Sequence, residues 1–201
     1  MVNKILVALD GSSHAQKALG IAITLAKDSG SELLALNVAS DTPLTEGERR
    51  MAEAEYSSEV SHALTSTGII PATDQKLGAS SLSQFDNRAG PAVRRILGQQ
   101  IVNQAAAEAR RQGIAEVSTV VESGDPVNII LQQAKQARPD MIVMGSRGFS
   151  DIKGAVLGSV SHKVAHLAPC SVVKVTRGDE ARSAQKRILA PYSGRGSASC
   201  N

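Results

Sequence analysis

Short, unbroken apolar runs alternate along this chain with longer segments in which apolar residues return at helical spacing. Lys4 to Asp10 (KILVALD) is a run of the first kind, closed by an acid, as in a parallel strand buried on both faces. Ser12 or Ser13 can cap the helix that follows, with Ala15, Ala18, Leu19, Ala22, Ile23 and Ala26 on one side until Gly30 ends it. Leu33 to Val38 is a second buried strand, completing a βαβ unit with a right-handed crossover. The rhythm resumes at Ala92 to Gln112, a helix carrying Val93, Ile96, Leu97, Ile101, Ala105 and Ala109. Gly98 inside it costs about 1 kcal/mol relative to alanine. Val117 to Val121 alternates with polar residues, as a strand nearer a sheet edge does. Asp125-Pro126 supplies a cap and a first-turn proline for a helix through Ile129, Ile130 and Ala134 to Arg138-Pro139. Met141 to Met144 is a fourth strand. A helical pattern (Val160, Val164, Ala165, Leu167, Ala168) then runs to Pro169, before the β-branched run Val172, Val173, Val175.

Five strands alternating with four helices predict an α/β fold, a single doubly wound five-stranded parallel sheet. Ligands of such sheets sit outside the carboxyl ends of the strands, where strand order reverses. If the first and fourth strands flank that point, Asp10 and the loop at Gly145 share one crevice. Residues 41–91 break the rhythm: Glu46 to Thr67 is charged and Ala-rich, and Gly68 to Pro91 mixes Ser, Gly, Asp, Asn and Pro. This stretch reads as an insert, partly helical or mobile, in a domain spanning 1–178. Residues 179–201 read as a polar C-terminal tail, in which Arg187 to Gly194 echoes Lys4 to Gly11.

Composition narrows the function classes. With 42% hydrophobic residues in 201, the chain can bury a sizeable core. Two Tyr, two Phe and no Trp leave that core to Ala, Val, Ile and Leu. The net charge of +3 comes without a long basic run, and aromatics for stacking bases are scarce, which disfavours nucleic acid as a partner. The opening MVNKILVALDG lacks the basic and long apolar regions of a signal peptide, and no run reaches membrane-span length. Two scattered cysteines, Cys170 and Cys200, give neither a disulfide framework nor a zinc site, so a cytoplasmic setting is expected.

Chemistry concentrates after the fourth strand, at Gly145-Ser146-Arg147-Gly148 and, nine residues on, Gly158-Ser159. Glycine frees backbone amides to converge on phosphate oxygens, and a helix start adds unpaired N–H groups and a positive dipole end. Neither Gly-Lys-Ser/Thr nor Gly-x-Gly-x-x-Gly after a strand occurs. The spacing Gly-x2-Gly-x9-Gly-Ser resembles the signature of the nucleotide-binding branch of the universal stress protein family. The similarity extends over the first two strands and from Ala92 to Val175. The resemblance implies a fold like the adenine nucleotide alpha hydrolases, and a usually dimeric protein that binds ATP or AMP and acts in stress regulation. It implies that Asp10 bonds the ribose, that the Val38 backbone lines the adenine pocket, and that Gly145, Gly148, Gly158 and Ser159 hold ribose and phosphates. Val160 would contribute an amide, and Mg²⁺ would enter only through the phosphates.

Arg147 and Lys153 can approach phosphates from within the glycine segment. Ser12, Ser146 and Ser159 can cap, contact ligand or accept a phosphoryl group. His162 and His166 stand four apart, a spacing that can share a metal, but no third ligand stands at motif spacing, so no metal site is assigned. His14 and His62 carry no pattern. No nucleophile–base pair or water-orienting group declares itself, so binding is expected over turnover. The alternatives are a slow ATPase or autokinase using Ser146 or Ser159, and a module that docks an unknown protein partner through the insert. Dimerisation is expected through the fifth strand as an exposed edge.

Overall fold

The computed structural model describes residues 1–40, 44, 46–55, 86–148 and 158–176. Five strands, β1 (Lys4–Ala8), β2 (Glu32–Ala39), β3 (Val117–Ser123), β4 (Met141–Gly145) and β5 (Ser171–Val175), form one all-parallel sheet in the order β3-β2-β1-β4-β5. The described helices are α1 (Ser13–Ser29), α2 (Glu46–Glu55), α3 (Asp86–Arg111), α4 (Pro126–Ala137) and α5 (Ser159–Leu167).

The continuous apolar runs follow from burial on both faces. Successive strand residues point to opposite sides. Ile5, Val7, Leu33, Ala35 and Val143 therefore enter one core, and Leu6, Leu34, Leu36, Ile142 and Met144 the other. The first core is covered by α1 through Ala15, Ala18, Ala22, Ile23 and Ala26, and by α3 through Val102, Ala105 and Ala109. The second is covered by α4 through Ile130 and Ala134, and by α5 through Val164. Leu6 faces Leu34 on one side and Ile142 on the other, so β1 is the central strand. The chain leaves β1 toward β2 and later returns on the opposite side as β4, which makes the β1–β4 boundary the switch point where a doubly wound sheet opens a crevice.

Three elements depart from the sequence reading. Helix α3 begins at Asp86 rather than Ala92 and carries Pro91 inside it. Proline removes one ladder donor. Packing from the insert supports these first turns, since Leu44 is 6% exposed and lies against Gly90. Strand β3 runs on to Ser123, paired with Ala39 of β2. Helix α5 buries Ser161 and Val164, while Leu167 is 63% exposed, because this nine-residue helix is anchored at its first turn and not along an apolar stripe.

Candidate functional site

The helix starts that frame the crevice are fixed locally. Ser12 caps α1, its Oγ accepting from the Ala15 N–H at 3.2 Å. Asp125 caps α4 by accepting from the Asn128 N–H at 2.9 Å, with Pro126 in the first turn. Gly158 is the N-cap of α5 and brings no side-chain bond, so the first-turn amides of that helix are not capped by a side chain.

Asp10 stands just beyond the end of β1, separated from it by Leu9 alone. Its Oδ1 accepts from the Ser12 N–H at 2.9 Å, which points the carboxylate across the switch point. Opposite stands Gly148, where an added β-carbon would overlap the Asp10 Oδ2. Only glycine allows this approach, so the carboxylate and the loop after β4 form one surface. Gly145 is equally constrained: a β-carbon there would lie 2.9 Å from both the Arg147 carbonyl and the His14 Cβ. His14, patternless in the sequence, thus packs on the loop, whereas His62 lies outside the described residues.

The two glycine segments are joined through one carbonyl. The Ser146 oxygen accepts from the Gly158 N–H at 2.9 Å and from the Ser161 hydroxyl at 2.9 Å, while the Ser146 N–H donates to Val175 at 2.8 Å. Ser161 is buried and was not singled out in the sequence; a serine three positions after a glycine is an ordinary helix residue until its partner is known. The Ser146 Oγ is buried without a hydrogen-bond partner among the described residues.

One cavity collects these groups. Asp10, Val38, Gly145, Arg147, Gly148, Gly158, Ser159 and Val160 all line it. Leu36, Val38, Pro126, Ile130 and Met144 give it an aliphatic part. Tyr56, Phe85, Phe149 and Tyr192 all lie outside the described residues, as do Lys153 and Cys200. Arg94 and Glu48, which sequence spacing did not reveal, also line the cavity. Arg94, 4% exposed, donates from Nε and Nη2 to Glu48 at 2.7 Å each and from Nη1 to the Ser40 carbonyl at 2.6 Å. This bidentate pair ties α2 and α3 to the end of β2.

Other candidate chemistry lies apart. The His162 and His166 rings meet at 4.6 Å on the exposed side of α5, and among the described residues no group of three or more His, Cys, Asp or Glu is placed to hold a metal. Burial first, and the charge of Asp140 second, push the Cys170 thiol up, away from the reactive thiolate. No described helix is long and apolar enough to cross a membrane.

A five-stranded parallel sheet with a glycine-lined crevice at its switch point defines a doubly wound α/β protein. The universal stress protein family model matches residues 1–176. Universal stress protein YxiE of Bacillus subtilis is 33% identical over 175 residues, covering 87% of this chain and 99% of that protein. The chain belongs to the universal stress protein family. Among solved structures, universal stress protein UspA from Lactobacillus plantarum aligns at TM-score 0.61 and 23% identity, covering 87% of this chain and 97% of that one. A universal stress protein family protein from Arabidopsis thaliana, with AMP bound, aligns at TM-score 0.53 and 18% identity, covering 89% and 99%.

Proposed function

We propose that the crevice binds an adenine nucleotide, ATP or AMP, and that the protein acts by holding it rather than by turning it over. The contact between the Asp10 carboxylate and Gly148 carries this reading, because it sets a ribose-sized acceptor beside glycine amides and an uncapped helix start. Asp10 takes the ribose hydroxyls, and the base lies along Val38, Ile130 and Pro126. The phosphates meet the loop Gly145 to Gly148 and the first turn of α5, at Gly158, Ser159 and Val160, with Arg147 alongside. The buried Ser146 hydroxyl in the same wall, without a hydrogen-bond partner among the described residues, supports a polar ligand there. The AMP held by the Arabidopsis protein supports the adenine assignment. Any Mg²⁺ would come bound to the phosphates.

Calorimetry of the purified chain with ATP and AMP, together with mass spectrometry of whatever heat denaturation releases, tests the proposal. Saturable binding of either nucleotide is expected; no binding and no released nucleotide would sink it. Labelled ATP yielding ADP or phosphoprotein above background would shift the reading toward a slow ATPase or autokinase. We also infer a homodimer through β5, a terminal strand of the sheet. Light scattering that returns only monomer would remove that inference and leave the nucleotide reading intact.

A further inference from the structure

Asn37 lies within β2 and is 5% exposed, an amide enclosed between the strand ends and α3. Its Nδ2 donates to the Leu9 carbonyl at 2.7 Å, across 28 positions of sequence. Leu9 is the single residue between β1 and Asp10, and its own N–H donates to the Leu36 carbonyl at 2.8 Å. Strand β2 therefore grips Leu9 by both backbone groups. The carbonyl is the decisive one, because it belongs to the peptide bond leading into Asp10, and fixing that plane fixes where the Asp10 side chain starts.

The other end of the amide shows what this grip costs. The Asn37 Oδ1 is buried with no hydrogen-bond partner among the described residues. It faces Gly98 of α3, where an added β-carbon would overlap it and would lie 2.9 Å from the amide carbon and 3.2 Å from Val121 Cγ1. A buried acceptor left unpaired opposes folding, and an apolar side chain of the same shape would avoid that penalty. Gly98 likewise weakens the helix that carries it. The two unfavourable choices meet at one contact, and what that contact preserves is the bond to Leu9.

We infer that Asn37 is a positioning residue for the Asp10 carboxylate, setting ribose recognition from β2, with Gly98 as the gap that admits its side chain. The inference rests on the nucleotide reading of the crevice. It implies that helix α3, although it does not carry Asp10, takes part in how the ribose is read.

The full chain is titrated calorimetrically with ATP and with dideoxy-ATP, which lacks both ribose hydroxyls. The native protein should prefer ATP by about tenfold or more, the worth of a hydrogen bond to a charged acceptor. Asn37→Leu and Gly98→Ala should each cut that preference to about threefold or less while leaving dideoxy-ATP affinity within about twofold. Asp10→Asn should abolish the preference, and adding Asn37→Leu to it should change nothing further, because both act through one carboxylate. A merely structural Asn37 would weaken both ligands together. Should Asn37→Leu fail to fold, Gly98→Ala carries the same test from α3. An undiminished ATP preference in these variants, alongside its loss in Asp10→Asn, overturns the inference. An Asp10→Asn protein that keeps the preference overturns the ribose assignment instead.

Discussion

Two aspartates stand at opposite ends of the same strand pair and do opposite work. Asp140 immediately precedes β4. Its Oδ2 accepts from the Asn3 N–H at 2.7 Å and the Lys4 N–H at 3.1 Å, bracketing the start of β1 to the start of β4. Asp10 follows β1 and accepts from the Ser12 amide, while its Oδ2 lies close to Gly148 across the crevice. Both are acids at the end of an apolar run. Their roles differ because of where they stand: Asp140 brackets two backbone donors at the exposed start of the strands, whereas Asp10 lines the cavity at their other end, against the loop after β4. A strand-end acid becomes a ligand group only where the topology leaves space in front of it.

The comparison is broken most forcefully by Arg94→Ala, which tests whether the crevice end is dispensable for folding. Removing the guanidinium takes a bidentate partner from the partly buried Glu48 carboxylate, and about 3 kcal/mol of stability should be lost in chemical denaturation. The double variant Arg94→Ala/Glu48→Ala should recover much of that loss. Equal losses in both would show that packing, not charge, is the source.

Gly148→Val comes next. Its side chain must displace the Asp10 carboxylate, so ATP affinity should fall about 100-fold by calorimetry, from lost charged hydrogen bonds and a distorted loop. A valine variant that binds normally would mean that the two halves of the crevice are not read by one ligand.

Asp140→Asn should have the smallest effect, and it sharpens the contrast from the other end. The Asn3 amide first and the Lys4 amide second hold the Asp140 carboxyl below its ordinary value of 3.8. A depressed folded-state value contributes stability that is present above the unfolded value and lost as pH falls through the folded one. The native protein should therefore lose stability as pH drops below the usual carboxylate range, and the asparagine variant should show a shallower decline. Nucleotide affinity at neutral pH should not change. Parallel acid denaturation curves for the two proteins would contradict the bracket.

What the sequence revealed was what is local or periodic. The strand runs, the Ser12 and Asp125 caps, and the stop at Gly30 are local signals, and the observed elements follow them. Asp10 and the glycine loop could be joined in advance because the switch-point rule and the family spacing link positions far apart in the chain. Ser161, Asn37, Glu48 and Arg94 had no such link. Each is an ordinary polar residue in its own segment, and each takes its meaning from a partner in another element. The mixed composition up to Pro91 hides the first turns of α3, which begins at Asp86 with Leu44 against Gly90. Gly98 was read as a cost, and its compensation, an amide from β2, is visible only in three dimensions.

The aliphatic lining of the cavity has a practical corollary in spectroscopy. Since the chain has no tryptophan and only two tyrosines, it absorbs weakly in the near ultraviolet. An adenine seated there would dominate the absorbance of the purified protein, so a bare spectrum reports occupancy. Tyrosine emission, by contrast, listens only to Tyr56 and Tyr192, and a nucleotide that altered it would be reporting from the insert or the tail.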